Sequence, residues 1–200
     1  MLINCGDYQI KRKFIICLTG MPGAGKTTVA KALEEEGFTL LNMGDSVRME
    51  AKKRKLQPTD ENLGYLMLKL RNDLGPGAIA TLIISQISEK YNDELHCKFV
   101  IDGIRSIHEI DLLKTIGVVK ILSIHGSIDT RFRHLKDRSR SDAPSTLKEC
   151  LIRDKRELSV GVSEAIAFAD EIISNNEISL NQLKEQAKQI SRNWLLSIRC

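Results

Sequence analysis

The feature that most constrains this chain of 200 residues is a glycine-rich octapeptide near its start. It reads Gly-Met-Pro-Gly-Ala-Gly-Lys-Thr over residues 20–27, after a short apolar run and before a stretch with helical spacing. A glycine-rich turn between a strand and a helix directs several backbone N–H groups at phosphate oxygens, and the helix dipole favours the same anion. The octapeptide therefore predicts a loop that binds the polyphosphate of a nucleoside triphosphate.

The residue types within this loop predict separate tasks. Lys26 is expected to reach the β- and γ-phosphates and to act in catalysis, and the Thr27 hydroxyl is expected to ligate Mg²⁺. The predicted nucleotide-binding residues are Gly20, Pro22, Gly23, Ala24, Gly25, Lys26, Thr27 and Thr28. ATP and Mg²⁺ are therefore the expected cofactors.

Short apolar runs alternate along the chain with longer stretches of helical period. The runs at residues 14–18, 38–41, 98–101, 118–124 and 171–174 predict five strands. Strands that alternate with helices form a parallel sheet covered by helices on both faces. We therefore expect an α/β fold of three layers with a five-stranded parallel sheet, and a chain of this length predicts one domain over residues 1–200.

The second and third predicted strands lie unusually far apart. The interval from about residue 45 to 91 has helical spacing throughout and predicts a helical insert. In a phosphotransferase such an insert is the expected place for the second substrate, because the first is already held at the loop.

Asp102 ends the third predicted strand, at the edge of the sheet where ligands of open α/β folds bind. An acid there can orient a water molecule bound to Mg²⁺, which makes Asp102 a metal-site candidate together with Thr27. Because Asp-Gly is also a common turn sequence, the alternative interpretation of Asp102 is a turn or helix N-cap residue. The metal role is the preferred interpretation.

Three further motifs carry a resemblance to a known family. They are Gly44-Asp45-Ser46-Val47-Arg48, Asp102-Gly103-Ile104-Arg105 and Arg138-Ser-Arg140-Ser-Asp142. Over residues 18–189 the chain resembles the nucleoside monophosphate kinases, adenylate kinase above all, and an archaeal-type family of adenylate-kinase-related proteins. The resemblance implies a P-loop NTPase fold, a nucleotide acceptor such as AMP, and a short lid at about residues 138–146.

The same resemblance implies roles for individual residues. Asp45, Arg48 and Arg105 correspond to the acceptor site, where the arginines grip the acceptor phosphate. Arg138, Arg140 and Arg153 correspond to the arginines that close over the transferred phosphate, and they are the catalytic candidates besides Lys26. A planar guanidinium suits this task because it binds two phosphate oxygens at once.

Two acceptor-site candidates have structural alternatives. Arg71 is either a further acceptor arginine or a residue of a solvated helix face. Glu109 stands where adenylate kinases have an adenine-binding glutamine, but Ser106-x-x-Glu109 is also a capping box, in which the serine and the glutamate bond each other's backbone amides. Both interpretations remain open for each residue.

A rival resemblance concerns residues 169–175, Ala-Asp-Glu-Ile-Ile-Ser-Asn, which are similar to a stretch of the dephospho-coenzyme A kinases. Those enzymes transfer phosphate to a hydroxyl group, and Asp45 would then act as a base. A nucleotide-dependent ATPase or switch in RNA or protein assembly is the other alternative. The spacing from Asp45 to Arg48 favours a phosphate acceptor.

Composition restricts the partners. Hydrophobic residues make up 42% of the chain, and no apolar run approaches the roughly 20 residues of a membrane-spanning helix, so a cytoplasmic protein without a membrane contact is expected. The net charge of +4 fits anionic nucleotides, and the basic run at residues 52–55 is either a solvated helix end or a nucleic-acid contact. An apolar stripe over residues 180–194 either docks onto the sheet layers or forms a dimer seam, which leaves a monomer or a homodimer open.

Overall fold

The computed structural model describes residues 13–91, 97–137, 144 and 146–198. Its strands are β1 (Lys13–Thr19), β2 (Thr39–Asn42), β3 (Lys98–Asp102), β4 (Gly117–His125) and β5 (Glu171–Ser174). Its helices are α1 (Lys26–Glu35), α2 (Met43–Lys53), α3 (Asp60–Leu74), α4 (Ala78–Tyr91), α5 (Ile107–Lys114), α6 (Ile128–Asp137), α7 (Leu147–Ser159), α8 (Val162–Ala167) and α9 (Leu180–Ile198).

The five strands form one parallel sheet in the order β2-β3-β1-β4-β5. Each strand lies within one residue of the interval that the apolar runs predicted. Strands β1 and β3 are buried along nearly their whole length, and a parallel strand buried on both faces is apolar throughout, which explains why their runs could be recognised in the sequence. The predicted α/β fold with a five-stranded parallel sheet is confirmed.

Alternate residues of β1 divide the core into two layers, because successive side chains of a strand point to opposite faces. Ile15 and Cys17 join a cluster that contains the buried isoleucines of α4 and residues of α2, α3 and α5. Phe14, Ile16 and Leu18 join a second cluster with α1 and α9. The sheet therefore lies between two helical layers, as a three-layer fold requires.

The described part of the interval between β2 and β3 contains three helices, α2, α3 and α4. Asn42 and Thr59 cap α2 and α3 by accepting hydrogen bonds from the N–H groups of Asp45 and Asn62. Helix α2 begins directly after β2, so its first turn lies at the carboxyl edge of the sheet. This arrangement agrees with the predicted helical interval and brings Asp45 and Arg48 to the edge where the phosphate loop begins.

The apolar stripe of α9 packs against the second helical layer. Leu183, Ala187 and Trp194 are buried in the cluster that contains Val29 and Leu33 of α1. Lys184 and Lys188 form ion pairs with Glu35, and Arg192 forms one with Glu36, beside this contact. Of the two interpretations of the stripe, docking within the chain is the one observed.

Among the described residues, no helix has both the length and the apolar character that crossing a bilayer requires. The predicted lid at about residues 138–146 lies almost entirely outside the described residues, which include only positions 144 and 146 of it.

Truncation of the α9 stripe is expected to destabilise the fold. Leu183 is fully buried and Leu180, one turn earlier, is 65% exposed. Leu183→Ala leaves a cavity in the core, so the free energy of unfolding should fall by about 3 kcal/mol in urea titrations, whereas Leu180→Ala should change it by less than about 0.5 kcal/mol. Equal effects of the two variants would contradict the docking of α9.

Candidate functional site

The phosphate loop connects β1 to α1, and its three glycines have backbone angles that other residues rarely adopt. Gly20 has φ of 133° and Gly25 has φ of 111°. A Cβ atom on Gly20 would lie 2.2 Å from the carbonyl oxygen of Ile124, and one on Gly25 would lie 2.7 Å from Nδ2 of Asn175. Close approach and positive φ therefore both require glycine at these two positions.

Lys26 is the first residue of α1, and its ammonium group turns back over the loop. Nζ donates hydrogen bonds to the carbonyl oxygens of Gly20 at 2.6 Å and Met21 at 3.0 Å. The loop therefore holds a cation beside the N-terminus of α1, and the predicted contact of Lys26 with phosphates stays a prediction.

Thr27 and Asp102 meet at the carboxyl edge of the sheet. Thr27 Oγ1 donates to Asp102 Oδ2 at 2.9 Å, and Nδ2 of Asn42 donates to the same oxygen at 3.2 Å. Asn42 is the register partner of Asp102 across β2 and β3, while Ser106 and not Asp102 caps the following helix. The N-cap alternative for Asp102 is therefore wrong.

This pair fits Mg²⁺. Asp102 is a buried carboxylate within hydrogen-bond distance of a hydroxyl, and both residues line the cavity above the phosphate loop. Magnesium in nucleotide sites commonly binds one or two protein groups together with substrate phosphates. Within the described part of the chain, no cluster of three or more His, Cys, Asp or Glu residues offers a protein-only metal site.

One cavity of about 470 Å³ joins the phosphate loop to the helical insert. Its lining includes loop residues, the first turn of α2, the end of β3 and the inner face of α7. The predicted site residues that line it are Gly20, Pro22, Gly23, Lys26, Thr27, Asp45, Arg48, Asp102, Arg105 and Arg153. Ala24 and Gly25 are buried in the loop, and Thr28 lies in the first turn of α1.

A family model described as an AAA domain matches residues 19–150, about two thirds of the chain. A UPF0200 protein of Pyrococcus abyssi is 41% identical over 184 residues, which cover 90% of this chain and 97% of that protein. The chain belongs to the UPF0200 family. Its phosphate loop accordingly lies in a P-loop domain of the AAA type.

Solved structures with the same fold are similar to this UPF0200 chain over most of its length. The Thermus thermophilus protein TT1252 has a TM-score of 0.62 at 20% identity, covering 91% of this chain and 98% of its own. A shikimate kinase from Bacteroides thetaiotaomicron has a TM-score of 0.55 at 15% identity, covering 90% and 98%. Identities this low establish the fold alone, and that fold is the α/β fold of P-loop kinases.

Both predicted acceptor arginines of this UPF0200 chain contact carboxylates. Arg48 Nη1 lies 2.8 Å from Asp45 Oδ1, one turn earlier on α2. Arg105 Nε donates to Oε2 of Glu157, which α7 carries into the cavity wall. Burial alone would lower the pKa of Arg105, but the charge of Glu157 and its hydrogen bond raise it above its ordinary value. Arg105 therefore remains a guanidinium cation.

Arg71 and Glu109, the two further predicted substrate contacts, form an ion pair with each other, and their contact with a substrate stays a prediction from the sequence. Within the described part of the chain neither side chain lines the cavity. Arg71 Nη2 donates to Glu109 Oε1 at 2.5 Å, and Glu109 Oε2 accepts the backbone N–H of Arg105 at 2.8 Å. Glu109 is fully buried, and its carboxylate holds the loop that carries Arg105. The capping interpretation is confirmed in part, since Ser106 Oγ accepts the N–H of Glu109.

Arg153 lies on α7 and lines the cavity, and its contact with a phosphate stays a prediction. The other two lid candidates, Arg138 and Arg140, lie outside the described residues. Their roles remain predictions from the sequence.

Sequence reasoning missed Arg131 and Asp154, which support the phosphate loop from below. Arg131 forms two hydrogen bonds with Asp154, at 2.9 and 2.7 Å, and donates to the carbonyl oxygens of Pro22 at 3.1 Å and Gly126 at 3.0 Å. Arg131 falls on the apolar stripe of α6, three residues after Ile128. A charge at a core position of an amphipathic helix was the available signal.

Asn175, in the stretch that is similar to the dephospho-coenzyme A kinases, also contacts the loop. Its Nδ2 donates to the carbonyl oxygen of Ala24 at 2.9 Å from a buried position after β5. Glu157 was missed as well, although its spacing of four residues from Arg153 places both on one face of α7.

Loss of the Arg131 contacts should loosen the phosphate loop. Arg131→Lys keeps the charge but cannot bond Asp154 and Pro22 together, so ATP affinity should fall by about tenfold, roughly the value of one hydrogen bond to a charged group. Titration calorimetry with ATP and Mg²⁺ measures the effect. Arg133→Lys, an exposed change on the same helix, should leave the affinity unchanged, and an unaltered affinity in Arg131→Lys would contradict the supporting role.

Proposed function

We propose that this protein is an ATP-dependent nucleoside monophosphate kinase of the adenylate type, with AMP as the favoured acceptor. The observation that carries the proposal is one cavity that is lined both by the phosphate loop and by three arginines, Arg48, Arg105 and Arg153. A simple ATPase needs cations only around its triphosphate. A kinase with a phosphate acceptor needs a second set, because two polyanions that meet in line repel each other.

In the donor half, the loop amides and the α1 N-terminus hold the triphosphate of ATP. When ATP binds, Lys26 releases the carbonyl oxygens of Gly20 and Met21 and donates to β- and γ-phosphate oxygens instead. These oxygens are negatively charged, so they accept stronger hydrogen bonds from the ammonium group than the neutral carbonyl oxygens do. The roles proposed for Pro22, Gly23, Ala24 and Thr28 are those of loop residues that set the direction of these groups.

Thr27 and Asp102 are the proposed Mg²⁺ ligands, with Asp102 acting directly or through water. When bound there, Mg²⁺ neutralises charge on the phosphate oxygens of the donor. Asn42 contributes by holding the Asp102 carboxylate at the edge of β3, so that its orientation does not depend on the nucleotide.

In the acceptor half, Arg48 and Arg105 bind the monophosphate from α2 and from the loop after β3. They approach from separate elements, which suits a clamp on one tetrahedral group. Helices α2 to α4 form the proposed acceptor-binding insert of the single domain. Glu109 and Arg71 act indirectly, by holding the backbone of Arg105.

Arg153 is proposed to contact the transferred phosphoryl group from α7. Arg138 and Arg140 are proposed to join it as part of a lid that excludes water, which would otherwise hydrolyse ATP. Their proposed roles rest on the sequence motif.

A second candidate acceptor is a hydroxyl group, as in the dephospho-coenzyme A kinases. The observation in its favour is Asp45, a carboxylate that lines the cavity beside Arg48. There it can accept the proton of an attacking hydroxyl, which a monophosphate acceptor does not require.

A panel of acceptors tests the proposal. The protein is incubated with ATP, Mg²⁺ and one of AMP, GMP, CMP, UMP or dephospho-coenzyme A, and ADP formation is measured. We expect transfer to a monophosphate, best to AMP, and at least about a hundredfold lower rate in Lys26→Ala, because an electrostatic stabiliser of the transition state is lost. Lys148→Ala, an exposed change on α7, is the matched control.

Each other outcome of the panel has a meaning. Transfer to dephospho-coenzyme A alone supports the second candidate. ATP hydrolysis that needs no acceptor and is stimulated by RNA supports the ATPase or switch. Absence of transfer to every acceptor, together with absence of AMP binding, contradicts the kinase.

Substitution of Arg48 separates acceptor binding from donor binding. Arg48→Lys loses the two-pronged contact with phosphate, so KM for AMP should rise by about tenfold while KM for ATP stays unchanged. Arg54→Lys removes an exposed guanidinium at the end of the same helix, where it bonds Glu50, and should alter neither constant. An equal rise of both KM values would place Arg48 outside the acceptor half.

A further inference from the structure

The two proposed acceptor arginines differ in how deeply their carboxylate partners are buried. Arg48 and Asp45 have side chains 42% and 68% exposed, so water screens the pair and its exchange for a ligand costs little. Arg105 and Glu157 have side chains 23% and 7% exposed. Replacement of Glu157 by a ligand therefore leaves a largely desolvated carboxylate in need of a new partner.

Glu157 lies among cations that the proposed reaction uses. It lines the main cavity together with Lys26, Arg105 and Arg153. Burial alone would raise the pKa of Glu157, but Arg105, with smaller contributions from Lys26 and Arg153, holds it below its ordinary value. The side chain is therefore an anion inside the site that must bind anions.

We propose that Glu157 occupies the position of the acceptor anion on Arg105 and thereby sets the charge that an acceptor must bring. This inference rests on the proposed function, since it takes Arg105 to be an acceptor contact. An acceptor with one negative charge only takes the place of the Glu157 carboxylate, so it gains no net electrostatic attraction to Arg105. A phosphate monoester carries close to two negative charges at neutral pH, so it gains attraction where the monoanion gains none.

Arg105 is the fixed member of the pair. Its backbone N–H is bonded to Glu109, and Glu109 is in turn bonded to Arg71 of α3. A fully buried carboxylate with two partners holds the loop in one place. The exchange therefore moves Glu157 and leaves Arg105 where the acceptor meets it.

The structure also provides space for Glu157 to move. A second cavity of about 80 Å³ adjoins the pair, with Leu63 and Met67 of α3 and Arg156 of α7 among its lining residues. Arg105 and Glu157 line both cavities, so the ion pair forms part of the wall between them. Arg153 lines both as well and keeps a cation beside Glu157 after the exchange.

A pair of ligands that differ in one charge tests the inference. AMP and its 5′-methyl phosphate ester share base and sugar, but the ester is a monoanion. Titration calorimetry at pH 8 gives the ratio of their affinities for the full chain without ATP. We expect the wild-type protein to prefer AMP, and Glu157→Gln to reduce the preference by about tenfold, chiefly through tighter binding of the ester.

Controls separate selectivity from folding. Glu164→Gln, an exposed change on α8, should keep the wild-type ratio. Thermal unfolding without ligand reports any loss of stability, which would not by itself change a ratio of affinities. Glu157→Asp keeps the charge on a shorter side chain that no longer reaches Arg105, so it too should reduce the ratio, and it replaces Glu157→Gln if that variant does not fold.

Arg105→Ala distinguishes failure of this inference from failure of the proposed function. If Arg105→Ala abolishes AMP binding but neither Glu157 variant changes the ratio, Glu157 does not set the charge and the kinase proposal stands. If the wild-type protein does not bind AMP, or Arg105→Ala binds it unchanged, the acceptor site itself is misplaced and both proposals are overturned.

Discussion

The carboxylate of Asp102 is the contact on which the arrangement of the site depends. It lies at the carboxyl end of β3, faces Asn42 in the register of the neighbouring strand, and accepts the hydroxyl hydrogen of Thr27. A buried carboxylate is tolerated only with hydrogen-bond donors, so its two bonds hold β2, β3 and the start of α1 together. The phosphate loop and the helical insert consequently open into one cavity.

Charge compensation is the second constraint on this cavity. A cavity lined by Lys26 and several arginines concentrates cations, and these cations need partners within the chain when no ligand is bound. Asp45 and Glu157 serve Arg48 and Arg105 in this way, while Asp154 serves Arg131 beneath the loop. The partners differ in burial, which makes the Arg48 pair easy to open and the Arg131 pair a permanent support. The Arg105 pair lies between these limits.

The features that could be predicted from the sequence are those that depend on residues close together in the chain. Apolar runs marked all five strands, and the capping pattern at Ser106 marked the start of α5, because strands and helix ends leave signals within a few residues. The phosphate loop could also be predicted, since its glycines are required by the backbone angles of the loop itself. Ion pairs between residues far apart in the chain could not be predicted from the sequence. Arg131 and Asp154 are 23 residues apart, and Arg71 and Glu109 are 38 apart.

The sequence by itself determined the α/β fold, the phosphate loop and the residue types that can bind phosphate. The tertiary structure alone decided which of these residues lie together. Arg48, Arg105 and Arg153 line one cavity, and Glu157 lines it with them. Arg71 and Glu109 are not among its lining residues. The physical reason is that spacing along a chain predicts which face of a helix a side chain occupies. It does not predict which charged residue of another helix or strand lies against that face. Only the packed fold shows which arginines line the cavity and which carboxylates of the chain they contact.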